Sequence, residues 1–496
     1  MAEIIQSQNG KPQLVKRNFL YQHHDYNKAR TRIYWRCWQR KICNASITTN
    51  NNLDDFQIFR DGTAKHLHAA DPAEIEVKRI SNRVKRRALE SPNETPSAGL
   101  AATVGAPPEE IVQRLPERRS MRRMVNRVQV GQRPQNPKTI QDLLIAPPQD
   151  VTLRGTRFPM YDSSVDDPDR LLIFASPESL KILAICDMLF SDRTFKTVPQ
   201  AFAQLFSIHG RFMGFVFPLV FALTTRLTED TYSRVYEQVK IKCTELGVTV
   251  GRAGIDAGIS FMMDFELANM NAVKAVFPAV HVKGYMFHFD QMIYRKVVEL
   301  GLKTDYETVR SDIRQDVVAL MAVPFIPLDD LVDTFTEVTE EMDERLDDIV
   351  THLDVHYVRG VLRRRRRVAP RFAPAIWNTN QAALDGDHRT NNAVKAWHNH
   401  LQHMMVIRHA SMWRFLENLK KEENEIHTQA RGGHTKIKEP VNKKYQTNQR
   451  QVEQIVRNYQ LYKDGGDIPT YLRAIGYHLK AGAPPTVQEP DDPDSD

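Results

Sequence analysis

The chain has 496 residues, 41% of them hydrophobic, which is enough for about two or three domains with at least one large core. No apolar run reaches the roughly 18 residues of a transmembrane helix, so no membrane span is expected. Lysine and arginine total 68 against 61 acidic residues, a net charge of +7 that is modest taken alone. The first residues lack the charged-then-apolar pattern of a signal peptide, and we therefore expect a nuclear or cytoplasmic chain.

Residues 16–68 are rich in β-branched and aromatic side chains separated by polar turns, which predicts short strands. Five residues separate Cys37 from Cys43, and His66 and His68 follow further along the chain. Two thiolates and two imidazoles are a usual ligand set of a closed tetrahedral zinc site. A β-rich segment of about 50 residues has a small core, so metal binding would supply folding free energy. The alternative is that these four residues are scattered and unrelated.

The same segment resembles the FLYWCH zinc finger over about residues 16–70. An aromatic strand, a Trp-x-Cys, a second Cys and a terminal His-x-His recur in that family, and the matching positions are Phe19, Tyr21, Trp35, Cys37, Cys43, Ala45, His66 and His68. The resemblance implies a structural Zn²⁺ ion on the two Cys and two His residues, and DNA or protein binding by a finger domain at 1–70. It does not require His23 or His24, which we assign to the surface.

Residues 71–150 are dominated by Pro, Ser, Ala, Gly and basic residues, which predicts a basic linker. One or two helices are expected within it, at 107–115 and 118–128. The second of these segments is rich in arginine. It would either sit in a groove of DNA or lie on the protein surface.

Positive charge is concentrated at 78–87, 119–123 and 363–367. Clustered arginines are typical of phosphate contacts, although a solvated surface or a nuclear import signal explains any single cluster equally well. Together the clusters favour a nucleic-acid partner and a nuclear location, with no membrane or small-molecule partner. The candidate nucleic-acid-binding residues are Arg119, Arg122, Arg123, Arg363, Arg364, Arg365, Arg366 and Arg367.

From about residue 170 the pattern becomes α/β. A meander of three strands is followed by a helix that Thr228 caps and Gly247 ends, and then by strand, helix, strand and helix. That order matches an RNase H-like layered domain, expected at 151–303. A helical insertion at 304–385, a last core helix region at 386–430, and a helical segment with an acidic tail at 431–496 follow.

Two aspartates lie where an RNase H-like nuclease holds its metals. Such enzymes place one Asp on the first strand and a second carboxylate at the end of a later strand, and the pair binds two divalent ions. Asp192 and Asp264 hold these positions, and they would converge because the two strands are neighbours in this fold. The alternative is that each Asp forms a strand-end turn or caps a helix.

Several motifs between about 180 and 420 resemble the transposase domain of Mutator-like elements. They include SDRTFKTVPQAFAQLFSIHG, MMDFELANMNAVKAVFP and RTNNAVKAWHNHL, and a FLYWCH finger ahead of this domain is a known pairing. The resemblance implies a DDE transposase ancestry, with Asp192 and Asp264 as the first and second acids, Mg²⁺ or Mn²⁺ as the cofactor of an active site, and a homo-oligomeric state. The segment GYMFHF at 284–289 is expected to be part of a strand.

The sequence departs from this family at the catalytic positions. Lys395 stands where related sequences have the third acid, and a Lys cannot ligate Mg²⁺ at neutral pH. Arg193 replaces the usual Gly beside Asp192. No convincing substitute acid was found among Glu266, Asp385, Asp387 and Glu417. The adjacent His398, Asn399 and His400 do not fit an HNH nuclease, whose His and Asn are spread over a hairpin and a helix. His398, three residues after Lys395, is expected on the surface or in packing, the alternative being that it faces the site.

Three functions remain open from the sequence. The first is a transposase-derived DNA-binding protein in which Lys395 impairs catalysis. The second is an active Mg²⁺-dependent DDE transposase with an unrecognised third ligand. The third is a FLYWCH-type DNA-binding regulator without enzymatic activity.

Overall fold

The structure is a computed structural model that describes residues 2–7, 10–62, 64–91, 94–195, 197–251, 258–386, 392–405, 411–432 and 443–479. The chain divides into two compact units, Met1–Gln135 (unit 1) and Asn136–Asp496 (unit 2). Within the described ranges, no helix combines the length and apolar character that crossing a membrane requires.

Unit 1 begins with a six-stranded antiparallel sheet whose strands follow chain order. Strict alternation places Ile33, Trp35 and Cys37 of one strand in the core and Arg32, Tyr34 and Arg36 outside. The Trp35 Nε1–H donates to Thr49 Oγ1 at 2.9 Å, which satisfies the buried indole. The strands predicted for residues 16–68 are therefore present; the full set is β1 Ala2–Gln6, β2 Pro12–Lys16, β3 Phe19–Tyr26, β4 Arg32–Cys37, β5 Ser46–Asn50 and β6 Ile58–Asp61.

Four helices follow the sheet where the sequence predicted a linker with one or two. The long first helix packs on the sheet, because Ile75 joins a buried cluster with Ile5, Val15 and Leu20. The remaining helices share a second core with it, and unit 1 ends at Gln135 rather than near residue 150. The helices are α1 Pro72–Glu90, α2 Pro96–Val104, α3 Glu109–Arg114 and α4 Arg118–Gly131.

Unit 2 is built on a seven-stranded mixed sheet with the order β13-β12-β9-β10-β11-β8-β7. Strands β9, β10 and β11 form an antiparallel meander, and β12 lies parallel to both β9 and β13. The prediction that the strands of Asp192 and Asp264 are neighbours is confirmed by the pairing of β9 with β12. The strands are β7 Pro159–Asp162, β8 Leu172–Phe174, β9 Met188–Thr194, β10 Gln204–Phe212, β11 Phe215–Thr224, β12 Ser260–Met263 and β13 His281–Gly284.

Helices cover both faces of this sheet. On one face Tyr236 of α6 donates to Asn269 of α7 at 2.6 Å and contacts Ser191 of β9. On the other face Trp397 of α15 packs against His209 and Phe221. The first part of this helical set is α5 Pro177–Ile185, α6 Glu229–Glu245, α7 Leu267–Val276, α8 Met286–Glu299, α9 Lys303–Glu307 and α10 Asp312–Ala322.

The predicted cap and stop of α6 are confirmed, since the Thr228 side chain accepts from the Thr231 N–H and Gly247 has φ +71°. The strand predicted at 284–289 is corrected: β13 ends at Gly284, and α8 begins at Met286 because its buried residues recur at helical spacing. His288 therefore lies on a helix.

The region predicted as a helical insertion is mainly helical, but its arginine run forms a β-hairpin of β14 Val361–Arg363 and β15 Arg366–Val368. Asp387 and the acidic tail from residue 480 lie outside the described residues. The other helices are α11 Leu331–Glu340, α12 Asp347–Leu353, α13 Pro374–Trp377, α14 Asn380–Leu384, α15 Asn392–Met405, α16 Met412–Gly432, α17 Lys443–Arg457, α18 Tyr459–Asp464 and α19 Ile468–His478, with short 3₁₀ turns at Val323–Phe325, Leu328–Asp330 and Glu344–Leu346 and a π-helical turn at Asp354–Val358.

Candidate zinc centre and acidic site

The four predicted zinc ligands converge at one end of the first sheet. Cys37 is the last residue of β4, Cys43 lies in the turn before β5, and His66 and His68 follow β6. One donor atom from each of the four lies within 4.8 Å of all the others. Both cysteines are buried free thiols. The chain therefore brings a Cys₂His₂ donor set together without a disulfide.

The distances suit a tetrahedral ion. Cys37 Sγ lies 3.2 Å from His68 Nε2, and Cys43 Sγ lies 3.3 Å from His66 Nδ1. Zn–S and Zn–N bonds of about 2.3 and 2.05 Å at a tetrahedral angle place sulfur and nitrogen roughly 3.6 Å apart. The donor chemistry and spacing fit Zn²⁺, and they support a structural ion at this centre.

The second nitrogen of each imidazole has a partner that fixes the ring. His66 Nε2 lies 2.8 Å from the Tyr21 hydroxyl, and the His68 Nδ1 lies 2.8 Å from the Ala69 carbonyl. The Phe19 ring also stacks on His66 at a centroid distance of 3.6 Å. Such outer contacts orient ligating histidines and tune their affinity for the metal.

The two thiols differ in how readily they ionise. Burial raises the pKa of Cys37 to about 11, and the neighbouring thiol of Cys43 adds to this rise. Burial also opposes ionisation of Cys43, but backbone N–H groups of Ala45 and Leu67 outweigh it and lower that pKa. Cys43 is therefore the thiolate that forms first, and zinc binding must displace the proton of Cys37.

Replacing Tyr21 by Phe should weaken zinc binding by roughly 10- to 100-fold, because His66 would lose the hydrogen-bond partner that orients its ring. The measurement is a competition titration with a chromophoric chelator. The control is His24→Ala, which changes an exposed side chain of the same strand and should leave the affinity unchanged. Equal affinities of wild type and Tyr21→Phe would contradict the role of the hydroxyl.

The geometry defines a Cys₂His₂ zinc-binding module on a β-sheet. Residues 4–68 match the family model of the FLYWCH zinc finger domain, so this module is a FLYWCH zinc finger. No curated protein matches the chain. These comparisons give no support for a transposase domain in the rest of the sequence.

The outer face of the finger carries arginines that the sequence analysis missed. Arg32 and Arg36 of β4 and Arg60 of β6 are exposed, and none of them has an ion pair among the described residues. Tyr34 lies between Arg32 and Arg36 on the strand and is 41% exposed. The signal was present in the alternation of RIYWRC, because a strand that buries Ile33, Trp35 and Cys37 must expose the residues between them.

The predicted residues of α4 lie on one exposed face. Arg119, Arg122 and Arg123 are exposed, while Met121 and Val125 on the opposite face are buried. None of the three arginines has an ion pair with another described residue. This helix therefore presents an arginine stripe to solvent.

The run Arg363, Arg364, Arg365, Arg366 and Arg367 forms the tip of the β14–β15 hairpin, and all five side chains are exposed without an ion pair to any described residue. Arg364 and Arg365 form the turn with φ +45° and +66°, in the left-handed region. The structure does not bring this hairpin to the predicted catalytic aspartates by any contact among the described residues.

The basic run at 78–87 differs from the two exposed arginine clusters, because acidic residues of unit 1 form ion pairs with much of it. Arg79 pairs with Glu3 and Glu76, and Arg87 pairs with Glu94 at 2.7 Å. Charge clustering in the sequence does not distinguish this run from the two exposed clusters. It is a set of internal ion pairs rather than a free cationic surface.

The predicted catalytic acids lie on adjacent parallel strands. Asp192 is inside β9, and Asp264 immediately follows β12. Burial raises the pKa of Asp264 to about 6, Arg193 lowers it, and the carboxylate of Asp192 raises it again. The two carboxylates are therefore close enough to influence each other's ionisation.

Arg193 occupies the space beside this acid pair. Its Nε lies 3.8 Å from Asp264 Oδ2, and its Nη1 donates to Glu266 Oε1 at 3.1 Å. Glu266 also accepts from the Tyr232 hydroxyl at 3.0 Å. Glu266 is therefore held by Arg193 and Tyr232.

Lys395 and His398 of α15 lie near Asp192. Burial lowers the pKa of Lys395 to about 8, while the Asp192 carboxylate favours its charged form. The Lys395 ammonium also lies over the Phe287 ring. His398 is buried, with Nδ1 3.6 Å from Asp192 Oδ2, so it faces the acid pair rather than the solvent.

These residues do not fit a pair of divalent ions. A two-metal site needs carboxylates that converge on the ions without competing cations. Here a guanidinium approaches Asp264, and an ammonium is close enough to Asp192 for the two charges to interact. Two fixed side-chain cations thus balance the charge that metal ions would balance in an active site.

Proposed function

We propose that this protein binds DNA in the nucleus through its FLYWCH finger, and that unit 2 is a transposase-derived RNase H-like domain that does not cleave DNA. The observation that carries the DNA-binding part is the zinc centre of the FLYWCH finger with an exposed arginine face beside it. FLYWCH fingers are a DNA-binding type of domain.

The chemistry of the finger surface supports duplex binding. Guanidinium groups contact phosphates, and an exposed tyrosine between them can stack or pack on a sugar. The buried side of β4 holds Trp35 and Cys37, so the zinc centre fixes the orientation of Arg32 and Arg36. Affinity should therefore depend on both the ion and the outer side chains.

The double variant Arg32→Ala/Arg36→Ala should bind duplex DNA more weakly and with a smaller salt dependence. Each lost phosphate contact reduces the slope of log K against log salt by about 1, so a decrease of about 2 is expected. Fluorescence anisotropy of a labelled duplex across a series of salt concentrations measures both effects.

The matched control is Arg86→Ala, because Arg86 is exposed on α1 but pairs with Glu90 at 3.7 Å. Point variants are preferable to deletion of the finger, since Ile75 of α1 packs against β1–β3. Unchanged binding by the double variant would contradict the assignment to the finger face. Binding would then depend on the arginines of α4 or of the 363–367 hairpin.

The proposal for unit 2 is supported by its strand order and by its acid pair. An antiparallel meander followed by two parallel strands on the β9 side is the arrangement expected of an RNase H-like core. The inactive state is supported by Arg193 and Lys395 beside Asp192 and Asp264. An active Mg²⁺-dependent transposase is the alternative, and it would require both cations to move away from the carboxylates.

A further inference from the structure

A second group of metal-ligating side chains lies between α15 and α16. His400 of α15 meets Glu422 and Glu425 of α16, and one donor atom from each lies within 4.8 Å of the other two. The two glutamates are three residues apart on a helix and therefore share a face. None of these residues belongs to the finger or to the Asp192–Asp264 pair.

Glu422 is the residue that needs a partner. It is only 6% exposed, and its Oε1 accepts from the Trp397 indole N–H at 2.8 Å. Its Oε2 is buried and makes no well-formed hydrogen bond with any described residue; the group that faces it is His400, whose Nε2 lies 3.5 Å away. A buried carboxylate oxygen without a donor is costly unless a cation neutralises it.

The site is accessible to ions. A cavity of about 250 Å³ is lined by His400, Glu422 and Glu425, together with Trp397 and Phe217. His400 is half exposed at the rim, whereas Glu422 lies on the inner wall. A hydrated ion could enter this cavity and keep a water molecule on the open side.

We propose that His400 Nε2, Glu422 Oε2 and one Glu425 oxygen bind a divalent cation of the zinc class, with water as the fourth ligand. Imidazole with carboxylates is a usual zinc ligand set, and bonds of about 2.1 Å in a tetrahedron separate two ligands by roughly 3.4 Å. The 3.5 Å gap between Nε2 and Oε2 already has this length.

Neighbouring groups hold both glutamates in place for the ion. The Trp397 N–H fixes the remaining oxygen of Glu422, and the Gln429 amide donates to Glu425 Oε1 at 3.0 Å. Outer hydrogen bonds of this kind orient ligating carboxylates. The ion would join α15, which carries Lys395 and His398, to α16.

Zinc stoichiometry tests the proposal on the full-length protein. After equilibrium dialysis against micromolar ZnCl₂, we expect wild type to bind about one equivalent more than His400→Gln and Glu422→Gln. His403→Ala is the matched control, because His403 is exposed on the same helix, and it should bind as much as wild type. Metal content is measured by elemental mass spectrometry.

Cobalt(II) substitution separates this ion from the finger ion, because only the finger supplies thiolates and shows thiolate-to-cobalt absorption. The additional cobalt should be bound without that absorption and should be lost in His400→Gln. His400 is half exposed, so this variant is expected to fold, and thermal unfolding verifies it. Equal metal content in wild type and folded His400→Gln would overturn the proposal.

Discussion

Replacing Cys37 by Ser is expected to abolish zinc binding at the finger and to unfold the sheet of residues 4–68. A structural zinc ion contributes about 10–16 kcal/mol in small finger modules, which exceeds what a small β-rich core supplies alone. The buried cluster around Leu14, Ile33, Trp35 and Ile47 also includes both cysteines, so losing the ion exposes the core itself. DNA binding through the finger should be lost together with the fold.

Two measurements check this result. Elemental analysis should show the loss of about one zinc equivalent, and NMR should show the loss of hydrogen-exchange protection at the Trp35 indole, which is bonded to Thr49 in the folded sheet. The control is His24→Ala, since His24 is an exposed histidine of β3 that is not a ligand. A Cys37→Ser protein with a full zinc content and a protected Trp35 would show that the centre is wrongly assigned.

The double variant Arg193→Gly/Lys395→Glu is expected to create a Mn²⁺ site at Asp192 and Asp264 that the wild type lacks. Two unit charges 4 Å apart interact by about 4 kcal/mol at an effective dielectric constant of 20, so each removed cation should increase the affinity for metal by roughly tenfold or more. Lys395→Glu also adds a carboxylate on α15 facing the pair. Calorimetry or electron paramagnetic resonance of bound Mn²⁺ measures the gain.

The site specificity of that gain depends on Asp192. Adding Asp192→Asn to the double variant should remove the new Mn²⁺ binding, while any binding at His400 should persist in all variants. Wild-type protein should show no metal-dependent cleavage of duplex DNA. Cleavage by wild type that disappears in Asp192→Asn would contradict the inactive state of unit 2.

The zinc centre of the finger could be predicted because its ligands all lie within one short segment of the chain. Cysteines and histidines with few plausible partners, on strands with a period of two, leave little choice of arrangement. The helix between Thr228 and Gly247 was equally predictable from its cap and its stop.

The sequence did not predict α1 and α2, because the proline and serine content of residues 71–150 is typical of a linker. Pro72 and Pro96 instead occupy first-turn positions, behind the caps Asp71 and Thr95, where a proline costs no hydrogen bond. A proline is therefore ambiguous until the residue before it is considered. The two helices that the sequence did predict, at 107–115 and 118–128, correspond to α3 and α4.

The contacts beside the acid pair could not be predicted, since they join residues far apart in the chain. Arg193 reaches Glu266 across 73 residues, and His400 meets Glu422 through the packing of two helices. No local pattern specifies which face of α15 turns toward β9. Sequence reasoning identified Lys395 as unusual, but only the fold brings Arg193 close to Asp264 and Lys395 close enough to Asp192 for their charges to interact.

The backbone conformation at the turn of the β14–β15 hairpin affects which substitutions stabilise unit 2. Arg364 and Arg365 hold left-handed conformations that favour Asn and Gly, at about 1–2 kcal/mol per residue. Relaxing that strain by substitution also removes two guanidinium groups from the tip. Variants selected for heat resistance should therefore tend to lose the positive charge of this turn.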